Sequence, residues 1–126
     1  MPRILVVDDE GHVRAVLADV LRASGYNVSV ARSGFEAIEI AGALAPEVVM
    51  LDAHMPSMDG WATLERLRVV SPTTKVLMMS GTDCAERALA SGAVAFLAKP
   101  YRRSDILREV ARATGDRPGE PSRRAA

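Results

Sequence analysis

The feature that most constrains the fold is an apolar run, Val48–Leu51, that ends in the carboxylate of Asp52. A short run without polar interruption is typical of a strand buried on both faces, as in a parallel sheet. Residues 53–59 follow; they include Pro56 and lead to Gly60, a composition that favours a loop. An acid at the carboxyl end of a buried parallel strand should face the crevice where such sheets bind ligands.

Apolar segments and segments of helical periodicity alternate five times along the chain, which predicts a parallel α/β sheet. The predicted strands are residues 3–7, 27–31, 47–51, 74–79 and 93–98. We expect one flavodoxin-like (βα)5 domain over residues 1–114, with strand order 2-1-3-4-5 and helices on both faces. Residues 115–126 lack apolar periodicity and are expected to form a disordered tail.

Local signals predict where the helices begin and which faces they bury. Ser33, with Glu36 three residues on, predicts a capping box for the second helix, and Ser104 predicts the cap of the last. The fourth helix, residues 83–91, should be short and end at Gly92. Residues predicted to face inward include Val13, Val16, Leu17, Val20 and Leu21 in the first helix and Ala37, Ile40, Ala41 and Leu44 in the second.

Charge and composition limit the classes of partner. The 16 basic and 16 acidic residues give a net charge of +0, which argues against direct nucleic-acid binding. Aromatic residues make up only 4%, too few for base-stacking surfaces. A single cysteine excludes an intramolecular disulfide, and no apolar run approaches the length of a bilayer span. We therefore expect a cytoplasmic protein without a membrane partner.

Polar groups stand at the ends of four of the five predicted strands. They are Asp8 and Asp9, Asp52, Ser80 and Lys99, and the expected strand order places the first two beside Asp52. Three carboxylates in one crevice repel each other unless a cation joins them, and oxygen-only ligands suit Mg²⁺. The ammonium of Lys99 and the hydroxyl of Ser80 would complete an acceptor site for a phosphoryl group.

Each of these residues also has a purely structural interpretation. Asp8 and Asp9 could cap the first helix, and Asp52 could be an ordinary turn residue. Their joint occurrence at four strand ends favours the functional interpretation. Lys75 and Lys99 are the only lysines among the 16 basic residues, which suggests that a compact ammonium is required at Lys99.

Two other functional classes share parts of this pattern. A phosphatase of the haloacid-dehalogenase type needs a second acid two residues after its nucleophile, whereas His54 stands two residues after Asp52. A flavin carrier needs a hydroxyl- and glycine-rich phosphate loop after the first strand, whereas Asp8, Asp9 and Glu10 stand there. Both hypotheses therefore rank below a phosphoryl-accepting switch.

Four motifs resemble those of response-regulator receiver domains of two-component systems, most nearly the receivers attached to hybrid histidine kinases. The motifs are Ile4–Glu10, Leu51–Gly60, Met79–Gly81 and Phe96–Tyr101. The resemblance implies a signalling module that is not an enzyme. In such a module, Asp52 takes a phosphoryl group from the phosphohistidine of a histidine kinase or phosphotransfer protein. The implied output partner is an unidentified protein, and the implied state is a monomer or a weak phosphorylation-dependent dimer.

The same resemblance implies a role for each site residue. Mg²⁺ would be held by Asp8, Asp9, Asp52 and the backbone carbonyl of His54. The implied phosphate-binding residues are Lys99, Ser80, Gly81 and Ala53; the implied switch residues are Ser80 and Phe96; and the peptide bond between Lys99 and Pro100 would be cis.

The resemblance also implies an output surface, with one departure from the family. Phosphorylation should alter the segment Gly81–Ala90 and a face made by the fourth helix, the fifth strand and the fifth helix. Arg102, Arg103 and Arg108 are expected to make that face basic. The segment between the positions of the switch hydroxyl and the lysine is about one helical turn shorter than in most of the family, so the fourth helix should be short or displaced.

Overall fold

A computed structural model describes residues 2–56 and 58–115, which form one parallel five-stranded sheet in the order β2-β1-β3-β4-β5. The strands are β1 Arg3–Val7, β2 Asn27–Ala31, β3 Val48–Asp52, β4 Lys75–Ser80 and β5 Ala95–Ala98. The helices are α1 Gly11–Ala23, α2 Gly34–Leu44, α3 Gly60–Val70, α4 Ala85–Ala90 and α5 Arg103–Thr114. The predicted fold class and strand order are confirmed.

Two apolar layers, one on each face of the sheet, hold the strands in place. Alternation along β1 sends Ile4 and Val6 toward the layer that α1 and α5 cover, and Leu5 and Val7 toward the layer that α2, α3 and α4 cover. Every residue of β3 is buried, as expected for a central strand of a parallel sheet. Each fully buried aliphatic side chain contributes about 1.5–3 kcal/mol, so these layers fix the strand ends firmly.

Two predicted inward-facing residues are exposed instead. Val16 is 47% exposed because it lies on the flank of the buried stripe of α1, which consists of Leu17, Ala18 and Leu21. Leu44 is 38% exposed because it is the last residue of α2. The chain turns there through Ala45, whose φ of 45° ends the helix. In the described part of the chain, no helix combines the length and hydropathy that crossing a bilayer requires.

Capping follows the sequence at α2 but not at α5. The Glu36 amide donates to the Ser33 hydroxyl at 3.1 Å, which is the Ser33 half of the predicted capping box. The Glu36 carboxylate accepts from the Arg32 amide at 3.3 Å. The cap predicted at Ser104 is wrong, because α5 begins at Arg103 and its N-cap is Arg102, two residues before Ser104. The carboxylate of Asp105 instead accepts a 2.8 Å hydrogen bond from the Arg102 amide. A charged acceptor makes the stronger bond to an unpaired amide, and this bond lowers the pKa of the Asp105 carboxyl.

The fourth helix is short and is attached to α3 by side chains at the surface. It has six residues, fewer than predicted, and only Ala88 in it is buried. The Arg87 guanidinium lies 4.0 Å from the centre of the Trp61 ring, a cation–π contact. Arg68 donates to the Ser91 carbonyl at 3.1 Å and so satisfies a free acceptor at the end of α4.

The prediction of a disordered tail falls outside the described residues, except for Gly115. That glycine ends α5 with a φ of 82°. The tail at residues 116–126, and the domain boundary after residue 114, therefore stay predictions.

Gly92 and Gly42 lead to opposite predictions for the same substitution. Gly92 has a φ of 104°, and a Cβ there would lie 2.7 Å from the Arg68 guanidinium carbon. Gly92→Ala should therefore lower the free energy of unfolding by about 1 kcal/mol or more. Gly42 lies in α2 with nothing within 4 Å of an added Cβ. Gly42→Ala should raise the free energy of unfolding by roughly 0.5–1 kcal/mol.

Urea denaturation of the two variants and the wild-type protein measures both changes. The substitution is the same, so each variant serves as the control for the other. Changes of the same sign in both would contradict the backbone assignment.

Candidate functional site

The candidate site lies where the carboxyl ends of four strands meet at one edge of the sheet. Asp8 follows β1, Asp52 ends β3, Ser80 ends β4 and Lys99 follows β5. The register aligns these ends, because Val7 pairs with Leu51, Asp52 with Met79, and Ser80 with Ala98. The backbone amide of Lys99 continues the ladder by donating to the Ser80 carbonyl at 2.8 Å. The sheet therefore brings together the polar groups that the sequence places at its strand ends.

Three carboxylates form a cluster at this edge. One oxygen from each of Asp8, Asp9 and Asp52 lies within 4.8 Å of the other two. Asp8 is fully buried and Asp52 is 5% exposed, whereas Asp9 is exposed to solvent. Asp9 is separated from Asp52 along the chain, so only the sheet topology explains their proximity.

The hydrogen bonds of Asp8 leave one of its oxygens without a donor. Its amide donates to the Ala31 carbonyl, Oδ1 accepts from the Glu10 amide at 2.9 Å, and its carbonyl accepts from Arg14 at 2.8 Å. Oδ2 is buried and accepts no hydrogen bond in the structure. Burial raises the pKa of the Asp8 carboxyl, and the nearby Asp52 raises it further.

Lys99 lies between two of the carboxylates. Its Nζ is 3.5 Å from Oδ2 of Asp52 and 3.6 Å from Oδ2 of Asp8. The peptide bond between Lys99 and Pro100 is cis, the geometry that the resemblance implies. Lys75, the other lysine, donates instead to the Ala113 carbonyl near the end of α5, away from the acidic cluster. The two lysines therefore make different contacts, and only Lys99 lies at the candidate site.

The loop after β3 is held tightly around Asp52. The His54 amide donates to Oδ1 of Asp52 at 3.1 Å, which fixes the orientation of the carboxylate. The first helical residue of α3, Gly60, packs against this loop so closely that a Cβ there would lie 2.4 Å from the Asp52 carbonyl oxygen. Only glycine permits that approach. The sequence Asp59-Gly60 thus matters for the position of the end of β3 as well as for the start of α3.

Ala53 follows β3 and Gly81 follows β4, and both were predicted to bind phosphate. The Ala53 amide donates to the Met79 carbonyl at 2.9 Å, and its carbonyl accepts from the Gly60 amide at 3.0 Å. Both backbone polar groups of Ala53 are engaged and its side chain is a buried methyl, and its predicted role stays a prediction. Gly81 is exposed directly after β4, and its predicted role stays a prediction.

The hydroxyl of Ser80 belongs to a hydrogen-bonded chain that the sequence did not predict. The Thr82 amide donates to Ser80 Oγ at 3.1 Å, and the two hydroxyl oxygens lie 3.0 Å apart. Thr82 Oγ1 is in turn 3.1 Å from Nε2 of His54. Thr82 and His54 each stand two residues after the end of a neighbouring strand. That shared offset is the sequence signal that could have identified the pair.

Two aromatic residues flank the site. Phe96, in β5, is partly buried and packs against the apolar layer that α2, α3 and α4 cover. Tyr101 packs against the opposite layer. Burial, together with the charges of Asp8 and Asp52, raises the pKa of Tyr101 to about 12. Tyr101 therefore lies near Asp8 and Asp52. The sequence analysis named it only as the end of the motif Phe96–Tyr101 and predicted no role for it.

The face predicted to be basic is partly neutralised. Arg108 lies 3.1 Å from the Asp105 carboxylate and 3.7 Å from Glu109. Arg112 lies 3.3 Å from Glu109. The predicted contribution of Arg108 to a basic surface is therefore reduced, because its charge is paired within α5. Arg102 is exposed at the start of the helix.

Comparison with known proteins gives one consistent result. A family model described as the response regulator receiver domain matches residues 4–111. A protein-glutamate methylesterase/protein-glutamine glutaminase of Symbiobacterium thermophilum is 40% identical over 116 residues, which are 87% of this chain and 32% of that protein. Transcriptional regulatory protein PdtaR of Mycobacterium tuberculosis is 36% identical over 83% of this chain and 53% of its own length. The chain thus spans about a third to a half of these curated relatives.

A solved structure agrees in fold over nearly the whole chain. The response regulator receiver domain protein from Clostridium thermocellum superposes with a TM-score of 0.86 and 27% sequence identity. The match covers 91% of this chain and 95% of that one. The similarity therefore includes both the sheet and the helices that surround the candidate site.

Asp8 leads to a prediction about stability and pH. Because its pKa is raised in the folded state, its contribution to stability is complete below its ordinary pKa of 3.8 and is lost as the pH rises through the folded value. Asp8→Asn should therefore raise the free energy of unfolding at pH 7, in the absence of divalent cations. About 1 kcal/mol is expected, because the substitution removes a negative charge that is buried beside Asp52.

Urea denaturation between pH 4 and pH 7 measures this difference, which should shrink toward the acidic end. Asp19→Asn, on the exposed face of α1, is the control and should keep the wild-type profile. An Asp8→Asn protein with the same pH dependence as the wild type would rule out Asp8 as the source.

Proposed function

Since the chain belongs to the response regulator receiver domain family, we propose that it is a signalling switch that accepts a phosphoryl group on Asp52. A histidine kinase or a phosphotransfer protein would supply that group from a phosphohistidine. The observation that carries the proposal is the position of the Lys99 ammonium, which lies within 3.6 Å of the buried Asp8 and Asp52 carboxylates at the end of the central strand.

The proposed reaction at the site is a displacement at phosphorus. A carboxylate oxygen of Asp52 forms a bond to phosphorus while the bond from phosphorus to the donor's imidazole nitrogen breaks, and the nitrogen keeps the electron pair. The His54 amide fixes the Asp52 carboxylate for this attack by donating to Oδ1. The Lys99 ammonium, 3.5 Å from Oδ2 of Asp52, would pair with the negatively charged phosphoryl oxygens.

The residues at the site fit a hard divalent cation. The buried Oδ2 of Asp8 accepts no hydrogen bond, and the three clustered acids offer only oxygen ligands. We propose that Mg²⁺ is held by Asp8, Asp9, Asp52 and the His54 carbonyl. When bound, it would neutralise negative charge on the carboxylates and on the phosphoryl oxygens. Asp9, the exposed member, would face the entry side of the site.

The proposed output runs from Ser80 to the surface around α4. The Ser80 hydroxyl would donate to a phosphoryl oxygen, and Phe96 would turn inward as the loop after β4 shifts. This loop and α4 keep only Ala88 fully buried, so little apolar contact opposes their movement. A protein partner would then recognise the altered face of α4, β5 and α5. Phosphorylation would shift a pre-existing equilibrium between two states.

The proposal does not extend to the activities that the relatives' names carry. Methylesterase and transcriptional functions are those of longer proteins, of which this chain matches 32% and 53%. We propose the switch itself as the function of this chain, without an enzymatic output of its own. The association with a hybrid histidine kinase stays a prediction.

Acetyl phosphate, a small phosphoryl donor, tests the acceptor. With Mg²⁺, the wild-type protein should gain one phosphoryl group, detected by intact-protein mass spectrometry, and Asp52→Asn should gain none, because the amide is not a nucleophile. Asp19→Asn, which removes an exposed acid of α1, is the matched control and should be labelled like the wild type. Equal labelling of Asp52→Asn and wild type would place the acceptor elsewhere.

Mg²⁺ binding without a phosphoryl group tests the metal ligands. Asp9→Asn should weaken binding by about tenfold or more, because a hard cation loses one of a few direct carboxylate ligands. Isothermal titration calorimetry at low ionic strength measures the affinity, again with Asp19→Asn as the control. Unchanged affinity in Asp9→Asn would remove Asp9 from the site.

A further inference from the structure

Thr82 has no role in the site as proposed so far, yet it makes two of the contacts to the switch hydroxyl. Ser80 is fully buried, and its Oγ accepts a hydrogen bond from the Thr82 amide at 3.1 Å. The Thr82 hydroxyl lies 3.0 Å from the same Oγ. In the unphosphorylated protein, the Ser80 hydroxyl is therefore held by one neighbouring residue through both its backbone and its side chain.

The His54 side chain braces Thr82 from the other side. Nε2 of His54 lies 3.1 Å from Thr82 Oγ1, while the His54 amide donates to the Asp52 carboxylate. The hydrogen bonds thus run from Asp52 through His54 and Thr82 to Ser80. They join the loop after β3 to the loop after β4 across the mouth of the site. Because the Thr82 hydroxyl lies between hydrogen-bond partners on both sides, His54 and Ser80, its side chain has little freedom to rotate.

We propose that Thr82, braced by His54, is a positioning residue that holds the Ser80 hydroxyl in the unphosphorylated protein and competes for it with the phosphoryl group. This inference rests on the proposed function of Asp52 as the acceptor. A phosphoryl oxygen can only accept a hydrogen bond, so Ser80 must donate its single proton to it. The Thr82 hydroxyl is an alternative partner for that proton in the resting state.

The strength of one hydrogen bond sets the size of the effect. Removing the Thr82 hydroxyl deletes one hydrogen bond to Ser80 but keeps the one from the Thr82 amide. The equilibrium constant that favours the resting state should therefore fall about two- to tenfold. Binding of a phosphoryl mimic should tighten by that factor, because a ligand shifts a two-state equilibrium by its differential affinity. His54 is exposed, so water can replace the Thr82 hydroxyl as its hydrogen-bond partner in this variant.

Beryllofluoride with Mg²⁺, a mimic of the phosphoryl group on a carboxylate, is the probe. Its affinity is measured by calorimetry on the wild-type protein and on three variants. Thr82→Val should bind about two- to tenfold tighter than the wild type. Thr82→Ser, which keeps the hydroxyl, should restore the wild-type affinity. Thr73→Val makes the same change at an exposed threonine just before β4, at the opposite edge of the sheet, and should also bind like the wild type.

A second set of measurements asks whether Thr82 acts through Ser80. In a Ser80→Ala background, Thr82→Val should no longer change the affinity, since the hydroxyl for which it competes is gone. An effect that persists in that background would overturn the inference, as would unchanged or weaker binding by Thr82→Val itself. Thr82→Ala carries the same expectation and replaces Thr82→Val if the branched side chain disturbs the loop.

The outcomes also distinguish a failure of the proposed role of Thr82 from a failure of the proposed acceptor function of Asp52. A wild-type protein that binds no beryllofluoride in the presence of Mg²⁺ would overturn the proposed acceptor function and this inference with it. A wild-type protein that binds the mimic, together with a Thr82→Val variant that binds it equally well, would overturn only the role of Thr82.

Discussion

Repulsion among carboxylates at one sheet edge is the constraint on which the rest of the site depends. Parallel pairing of β1 with β3 forces Asp8 and Asp52 together, and burial of Asp8 raises the pKa of its carboxyl. The ammonium of Lys99 offsets part of this cost, because it approaches both acids within 3.6 Å. The buried Asp8 oxygen without a hydrogen bond still favours a further positive charge. This arrangement supports the proposed binding of a divalent cation.

The scaffold around the acids is tightly packed, whereas the segment proposed to respond has few buried side chains. Two apolar layers and the close approach of Gly60 to β3 fix the position of Asp52. The short helix α4 is held mainly at the surface, by the contact between Arg87 and Trp61 and by the bond from Arg68 to the Ser91 carbonyl. Exposed polar contacts of this kind contribute little each, so a small change at the end of β4 can move this segment.

Errors in the sequence interpretation were confined to positions where local rules compete. Val16 and Leu44 satisfy helical periodicity, but one lies beside the buried stripe of α1 and the other at the last residue of α2. Ser104 is a good capping residue, yet the charged Asp105 makes the bond to the helix start. Periodicity and propensity do not encode such competition.

The sequence by itself determined the parallel α/β class and the position of the acids and Lys99 at strand ends, and the strand order common in that class brings those ends together. Continuous apolar runs predict buried parallel strands, and the ends of such strands meet at one edge whatever their side chains do. Only the tertiary structure decided which carboxylate is buried, and that the Thr82 hydroxyl lies within hydrogen-bond distance of both Ser80 Oγ and Nε2 of His54. These features depend on loop conformations and side-chain rotamers. They carry no repeating pattern in the sequence, because they are set by packing between segments distant along the chain.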